Sequence, residues 1–181
     1  GYSTYTLSVT TTAAAGNLYT IYGSVASPIS FPPAFQVATP FGADTGGVSP
    51  AMFAVNADSQ YDSWLTIGIA DGSTPSALGS IGIDFDAWTT STGLTVTNGA
   101  VFLMDPPSGP TGYAVVAQIT VADGTVATAS MGMQGAGLTN VEDWQERVTF
   151  TYHTGGPPPP PASGGGVQTM ATSVAGMSTY R

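Results

Sequence analysis

The sequence predicts an all-β protein, an antiparallel barrel or sandwich of jelly-roll-like kind, and three observations lead there. Short runs alternate apolar and polar residues at period two, as in residues 4–10, 81–85 and 148–152. That spacing belongs to a half-buried strand. Glycine, proline and the turn dipeptides Asp71-Gly72, Asn98-Gly99 and Asp123-Gly124 break the runs at close intervals, the punctuation of a many-stranded sandwich or barrel. The third observation concerns the N-terminus. In GYSTYTLSVTTT, Tyr5, Leu7 and Val9 share one face, and Thr4, Thr6, Ser8 and Thr10 the other. Next in the chain come Ala13-Ala14-Ala15-Gly16, small residues without a hairpin signature. A strand on such a tether need not pair with its sequence neighbour. It is either the first strand of its own sheet, which the strand alone favours, or a strand that fills a sheet edge in another molecule; the rest of the chain shifts the expectation to a fold completed by a neighbouring subunit.

Residues 18–22 form a second alternating run. From 27 to 50 the chain carries Pro28, Pro32, Pro33, Pro40 and Pro50, which rule out a central strand over most of that length. Phe31, Phe35 and Phe41 are expected to pin this loop to the core. Residues 51–55 read as a short apolar strand, and 64–69 as another that leads to the turn at Asp71-Gly72. Ile81, Ile83 and Phe85 share a strand face. Residues 94–96 and 100–104, around Asn98-Gly99, read as a hairpin. Pro106, Pro107, Gly109 and Pro110 make a rigid loop. A long apolar strand over 113–121 turns at Asp123-Gly124 into a hairpin partner over 125–133. Residues 139–145 offer the one helical turn. Arg147 to His153 closes the series.

Composition changes at Gly155. Five prolines, 157–161, stand between glycine-rich joints and would extend about 16 Å as polyproline II. Beyond them residues 167–181 are polar and weakly alternating, and taken alone should be disordered. The predicted organisation is a donor strand and tether over 1–16, a β-domain over 17–154, and a Pro/Gly-rich linker with tail over 155–181.

Charge narrows the partners. Of 181 residues only 7% are charged, lysine is absent, and Arg147 and Arg181 face eleven carboxylates for a net charge of −9. Such a chain repels phosphate backbones and anionic membrane surfaces. A surface of Ser, Thr, Gly and Asn with so little charge is prone to association. There is no cysteine, hence no disulfide framework and no thiolate chemistry. No apolar run approaches the ~18 residues of a membrane-spanning helix. The chain opens on Gly1 instead of Met, so any export signal has been removed or never belonged to this sequence, and an extracellular or cell-surface location is expected.

The candidate chemistry is sparse. Asp84 and Asp86 flank Phe85, and with Asp105 they are the candidates for a calcium ion or a glycosidase carboxylate pair. The ordinary alternative, solvated strand-end carboxylates, is preferred. Glu142, Asp143, Glu146 and Arg147 surround Trp144, and Tyr61 and Asp62 precede Trp64. Each group either grips a sugar through ring and carboxylate or anchors its tryptophan in the core, and the core is preferred. His153 is the single histidine. It excludes paired-histidine metal sites, and no G-x-S-x-G elbow accompanies it. No N-x-S/T sequon occurs, although the Ser/Thr/Pro-rich ends could carry O-linked glycans. No catalytic residue, cofactor or metal is expected.

The runs YDSWLTIGIADG, SIGIDF and VVAQITVADGT are similar to those of a group of secreted β-domain proteins. With the strand-like N-terminus, the chain over residues 1–154 resembles the subunits of pilus-like extracellular fibrils assembled by donor-strand exchange. The resemblance implies a β-barrel completed by another protomer's N-terminal strand, with Tyr5, Leu7 and Val9 as the inserted side chains. It implies a structural, self-assembling subunit rather than an enzyme, forming an open helical filament. The acceptor groove is expected to be lined by strands near 113–121 and 147–153, without a reading of which two strands flank it. The second expectation is a secreted carbohydrate-binding sandwich module displaying Trp64, Trp88 and Trp144. Exposure separates the two: a sugar platform requires coplanar exposed rings.

Overall fold

The computed structural model describes residues 1–11, 15–124, 126–138, 142–153 and 167–173. In chain order the elements are β1 (Tyr2–Thr11), β2 (Thr20–Gly23), β3 (Ile29–Phe31), α1 (Pro50–Phe53), β4 (Trp64–Leu65), β5 (Leu78–Ile81), β6 (Leu94–Val96), β7 (Gly99–Leu103), β8 (Tyr113–Ala122), β9 (Val126–Gly135), β10 (Trp144–His153) and β11 (Val167–Ser173). They make two antiparallel sheets. The first has four strands in the order β11-β1-β8-β4, and the second has seven, β5-β7-β2-β9-β3-β6 with β10 on β9. The fold is all-β and a sandwich, not a closed barrel.

The second sheet has two interrupted strand lines. Along one edge of β9, β2 pairs with Gly132–Gln134 and β3 with Ser130, while β10 pairs with the other edge over its full length. β7 pairs with β2 and β6 with β3. Thus β6 and β7 lie end to end and run in the same direction. Asn98-Gly99 does not reverse the chain, and the hairpin expected there does not form. A type I′ turn requires positive φ at both central residues. Gly99 is absent from the positive-φ glycines and instead begins β7.

The hairpin expected at Asp123-Gly124 is also replaced. Gly124 does adopt φ +81°, but β8 belongs to the first sheet and β9 to the second. This turn carries the chain between layers. Residues 51–55 are not a strand: Ser49-Pro50 starts α1 with proline at the first helical positions, where its missing N–H costs nothing, and Val55 is exposed. The strand expected over 81–85 lies three residues earlier. β5 ends at Ile81, whose side chain is exposed, and Gly82 turns away with φ +67°. Of the run 64–69, only Trp64 and Leu65 pair as a strand. Trp144 and Gln145, expected within a helical turn, open β10, and residues 139–141 lie outside the described residues.

The core lies between the sheets. Leu7, Ile21, Ile29, Ile119, Met131 and Phe150 are almost wholly buried in it. Trp88 closes one side, its indole N–H donating to the Pro32 carbonyl at 2.8 Å and its ring 5.2 Å from Phe31. The proline-rich segment before α1 contributes only β3 as a strand, as the fixed φ and missing donor of proline dictate.

Candidate functional site: the slot of the N-terminal strand

β1 lies between β8 and β11. Tyr2 to Leu7 pair with Ala122 to Ala117 on one side, and Tyr5 to Thr11 with Ser173 to Val167 on the other. The register on β8 shifts between Leu7 and Ser8, where Ala117 is followed by Val115 as partner. One residue, Val116, is therefore extra on β8, as in a β-bulge. Tyr5, Leu7 and Val9 point into the core and are 4%, 0% and 1% exposed. Each such side chain contributes about 1.5–3 kcal/mol on burial. The opposite face is solvated only in part: Thr10 is exposed and Thr6 half-buried. Thr4 and Ser8 are buried, and Thr4 Oγ1 lies 2.7 Å from Thr120 Oγ1 on β8.

The strand is fastened at both ends. At its start, Ser3 Oγ donates to Asp123 Oδ1 at 2.6 Å and the Gly1 amine lies 3.6 Å from Asp123 Oδ2. At its end, the Thr11 N–H donates to the Gly112 carbonyl at 2.8 Å. Ala15 is bridged to Gly137, and the Gly16 N–H donates to the Ala136 carbonyl at 2.7 Å, so Ala15 and Gly16 lie beside the continuation of β9 in the second sheet. Of the two strands expected to line the groove, 113–121 is β8, which lies directly beside β1. The other, 147–153, is part of β10 and pairs with β9, while the place on the other side of β1 belongs to β11.

The other candidates do not assemble into a site. Asp84, Asp86 and Asp105 are exposed. Asp84 and Asp86 lie in an irregular segment that turns at Asp86 rather than on a strand, with the Ala87 N–H 3.3 Å from Asp84 Oδ1. No group of three or more metal-ligating side chains occurs among the described residues. Trp64 and Trp88 are buried, and Trp144 is half-buried with its indole N–H on the Asn17 carbonyl at 3.0 Å. Among the described aromatic side chains only Tyr113 is exposed, so these residues present no coplanar sugar platform. Arg147, expected to neutralise a carboxylate, donates to Ser130 Oγ at 3.1 Å and to the Ala26 carbonyl at 3.4 Å. His153 pairs with Val126 at the end of β10.

Two polar groupings escape a reading by pattern. Asp62 is fully buried, with Oδ1 accepting from the Val37 N–H and Oδ2 from the Ala43 N–H, each at 2.7 Å. Burial pushes its pKa up to about 6, against the pull of those amides and of Ser63. The carboxylate organises the loop that covers the first sheet. Its buried neighbour Ser63 donates from Oγ to the Phe35 carbonyl and accepts from the Thr120 N–H. The second grouping is a cleft of about 580 Å³ bordered by Asn17, Tyr19, Pro106, Pro107 and Asp143. There Tyr19 donates to Asp143 Oδ2 at 2.5 Å and accepts from Gln134 Nε2 at 2.6 Å. Burial and then the Asp143 hydrogen bond raise the Tyr19 pKa, so Tyr19 serves as a hydrogen-bond donor. Both groupings join residues far apart in sequence, which leaves no local signal.

Compared with protein-family models, with curated protein sequences and with solved structures, the chain matches none of them.

Proposed function

We propose that the protein is a structural subunit of an extracellular helical filament, polymerising when β1 of one copy enters the slot beside β8 of another. One observation carries this reading. A ten-residue strand supplies three core side chains and a full ladder on β8, yet only three residues of sequence separate its last residue from Ala15 beside the second sheet. Exchange between copies keeps every contact of β1 and changes only which copy the strand comes from, the low-cost route to association known as domain swapping. The contact between copies is head-to-tail, so it propagates into an open fibre rather than closing on itself. An empty slot would expose the main-chain groups of β8 and the side chains beneath it, which favours occupation by some copy's β1. Only 7% of the residues are charged, and the net charge of −9 disfavours an anionic partner such as a phosphate backbone.

The intact chain is compared with a version lacking residues 1–16, by electron microscopy and size-exclusion chromatography. Fibres from the intact chain alone, and stabilisation of the shortened chain by a peptide of residues 1–12, are the expected results. Equally stable monomers from both versions would sink the proposal.

A further inference from the structure

We infer that β11 is a detachable latch, which binds the free edge of whichever β1 occupies the slot, the chain's own or a second copy's, and holds it against withdrawal. The second half of that statement rests on the filament reading; the first does not.

The topology carries the argument. β11 is an edge strand whose only ladder among the described strands is with β1, over Tyr5 to Thr11. It lies alongside β10 without a ladder to it. Its place therefore depends on β1 being seated first. With β1 out of the slot, no described strand offers β11 a ladder there. Withdrawal of β1 without β11 must break the β11 ladder.

The chain path is the second support. β10 ends with His153 opposite Val126, close after the β8 end at Ala122, which pairs with Tyr2. β11 begins with Val167 opposite Thr11, at the other end of β1. β10 and β11 thus run in the same direction, with the end of the one and the start of the other at opposite ends of the sandwich. A ten-residue strand is roughly 33 Å long, and a chain as long as 154–166 spans at most roughly 45 Å. Chain length therefore permits the connection and does not by itself fix which copy's β1 the latch meets. The strand's own sequence, Val-Gln-Thr-Met-Ala-Thr-Ser, carries no charge and no proline, the devices that discourage edge pairing. Without β11, β1 itself becomes an open edge over those seven pairs.

The test uses the full chain with proline in the latch. Neighbouring residues of a strand turn their N–H groups to opposite sides, so one of Met170→Pro and Ala171→Pro removes a donor aimed at β1. Amide hydrogen exchange is then measured by region. In that variant, the amides of β1 over Tyr5–Thr11 are expected to exchange at least about tenfold faster, while β9 and β10 amides keep their protection. A synthetic peptide of residues 167–173 should restore the slow exchange. Unchanged β1 exchange in both variants, or a uniform loss of protection across β9 and β10 as well, would overturn the latch. Fibres are scored separately: variant fibres that lose subunits on dilution faster than the intact ones extend the latch to a donated strand. Monomers with the expected exchange pattern leave the latch standing and reject the filament reading.

Discussion

At the scale of single residues, Asp62 is the most consequential polar group. Its buried carboxylate binds two backbone amides of a loop that has little regular structure, so Asp62→Ala leaves two donors unsatisfied. A loss of about 2–4 kcal/mol is expected in urea denaturation. Titration gives an independent signature. The folded-state pKa is raised from 3.8 to about 6, so the folded chain binds the proton more tightly than the unfolded one. The stability linked to this proton is fully present below the unfolded value and lost as pH rises through about 6. The span is about 3 kcal/mol at most. Urea midpoints should therefore fall between pH 4 and pH 7 in the intact protein, and fall less in Asp62→Ala. A parallel pH dependence in both would remove Asp62 as the cause.

Two glycines make a second comparison at this scale. Gly82 and Gly112 both hold positive φ, +67° and +74°. A side chain at Gly82 would collide with the Asn98 carbonyl, whereas nothing lies within 4 Å at Gly112. Gly112→Ala is expected to cost only the conformational term, about 1 kcal/mol. Gly82→Ala should cost at least about 1 kcal/mol more, since backbone must move. Thermal denaturation of the two variants decides it; equal losses would mean that the close approach at Asn98 is not felt.

At the scale of elements, β1 and β11 together account for half of the four-stranded sheet, and they come from opposite ends of the chain. The faces of β1 are not equivalent. Leu7 is wholly buried and Thr10 is exposed. Leu7→Asp places an unpaired charge in the core and should prevent both stable folding of the slot and growth of fibres. Thr10→Asp should leave both intact. Fibre yield by electron microscopy, beside the circular dichroism of each variant, checks the pair, and fibres from Leu7→Asp would remove that face of β1 from the assembly. The elements also show how far local pattern reaches. β8 and the later part of β10 are legible because long alternating runs mark them. The proline-rich loop is legible because proline forbids a central strand. Residues 51–55 mislead because a short apolar run has no period of its own, and Ser49-Pro50 places it in a helix instead. β11 is illegible because its weak alternation acquires meaning only from the β1 edge beside it.

For the whole molecule, the all-β class and the turn positions come from short-range chemistry. Alternation at period two, the glycines able to hold positive φ at residues 72 and 124, and the scarcity of helix-forming runs are properties of the chain alone. So are the low charge and the apolar face of Tyr5, Leu7 and Val9. Tertiary structure decided which strands meet. Asn98-Gly99 looks like a hairpin, but β6 and β7 each pair with an earlier strand and run on in one line. Asp123-Gly124 looks like another, but its two arms belong to different sheets. The Asp62 carboxylate and the Tyr19–Asp143–Gln134 group exist only after distant segments pack. A strand's sequence states which face is apolar and where it ends, because those depend on neighbours a few residues away. Its partners depend on main-chain groups that every strand offers alike, so only the packing of the whole chain selects among them.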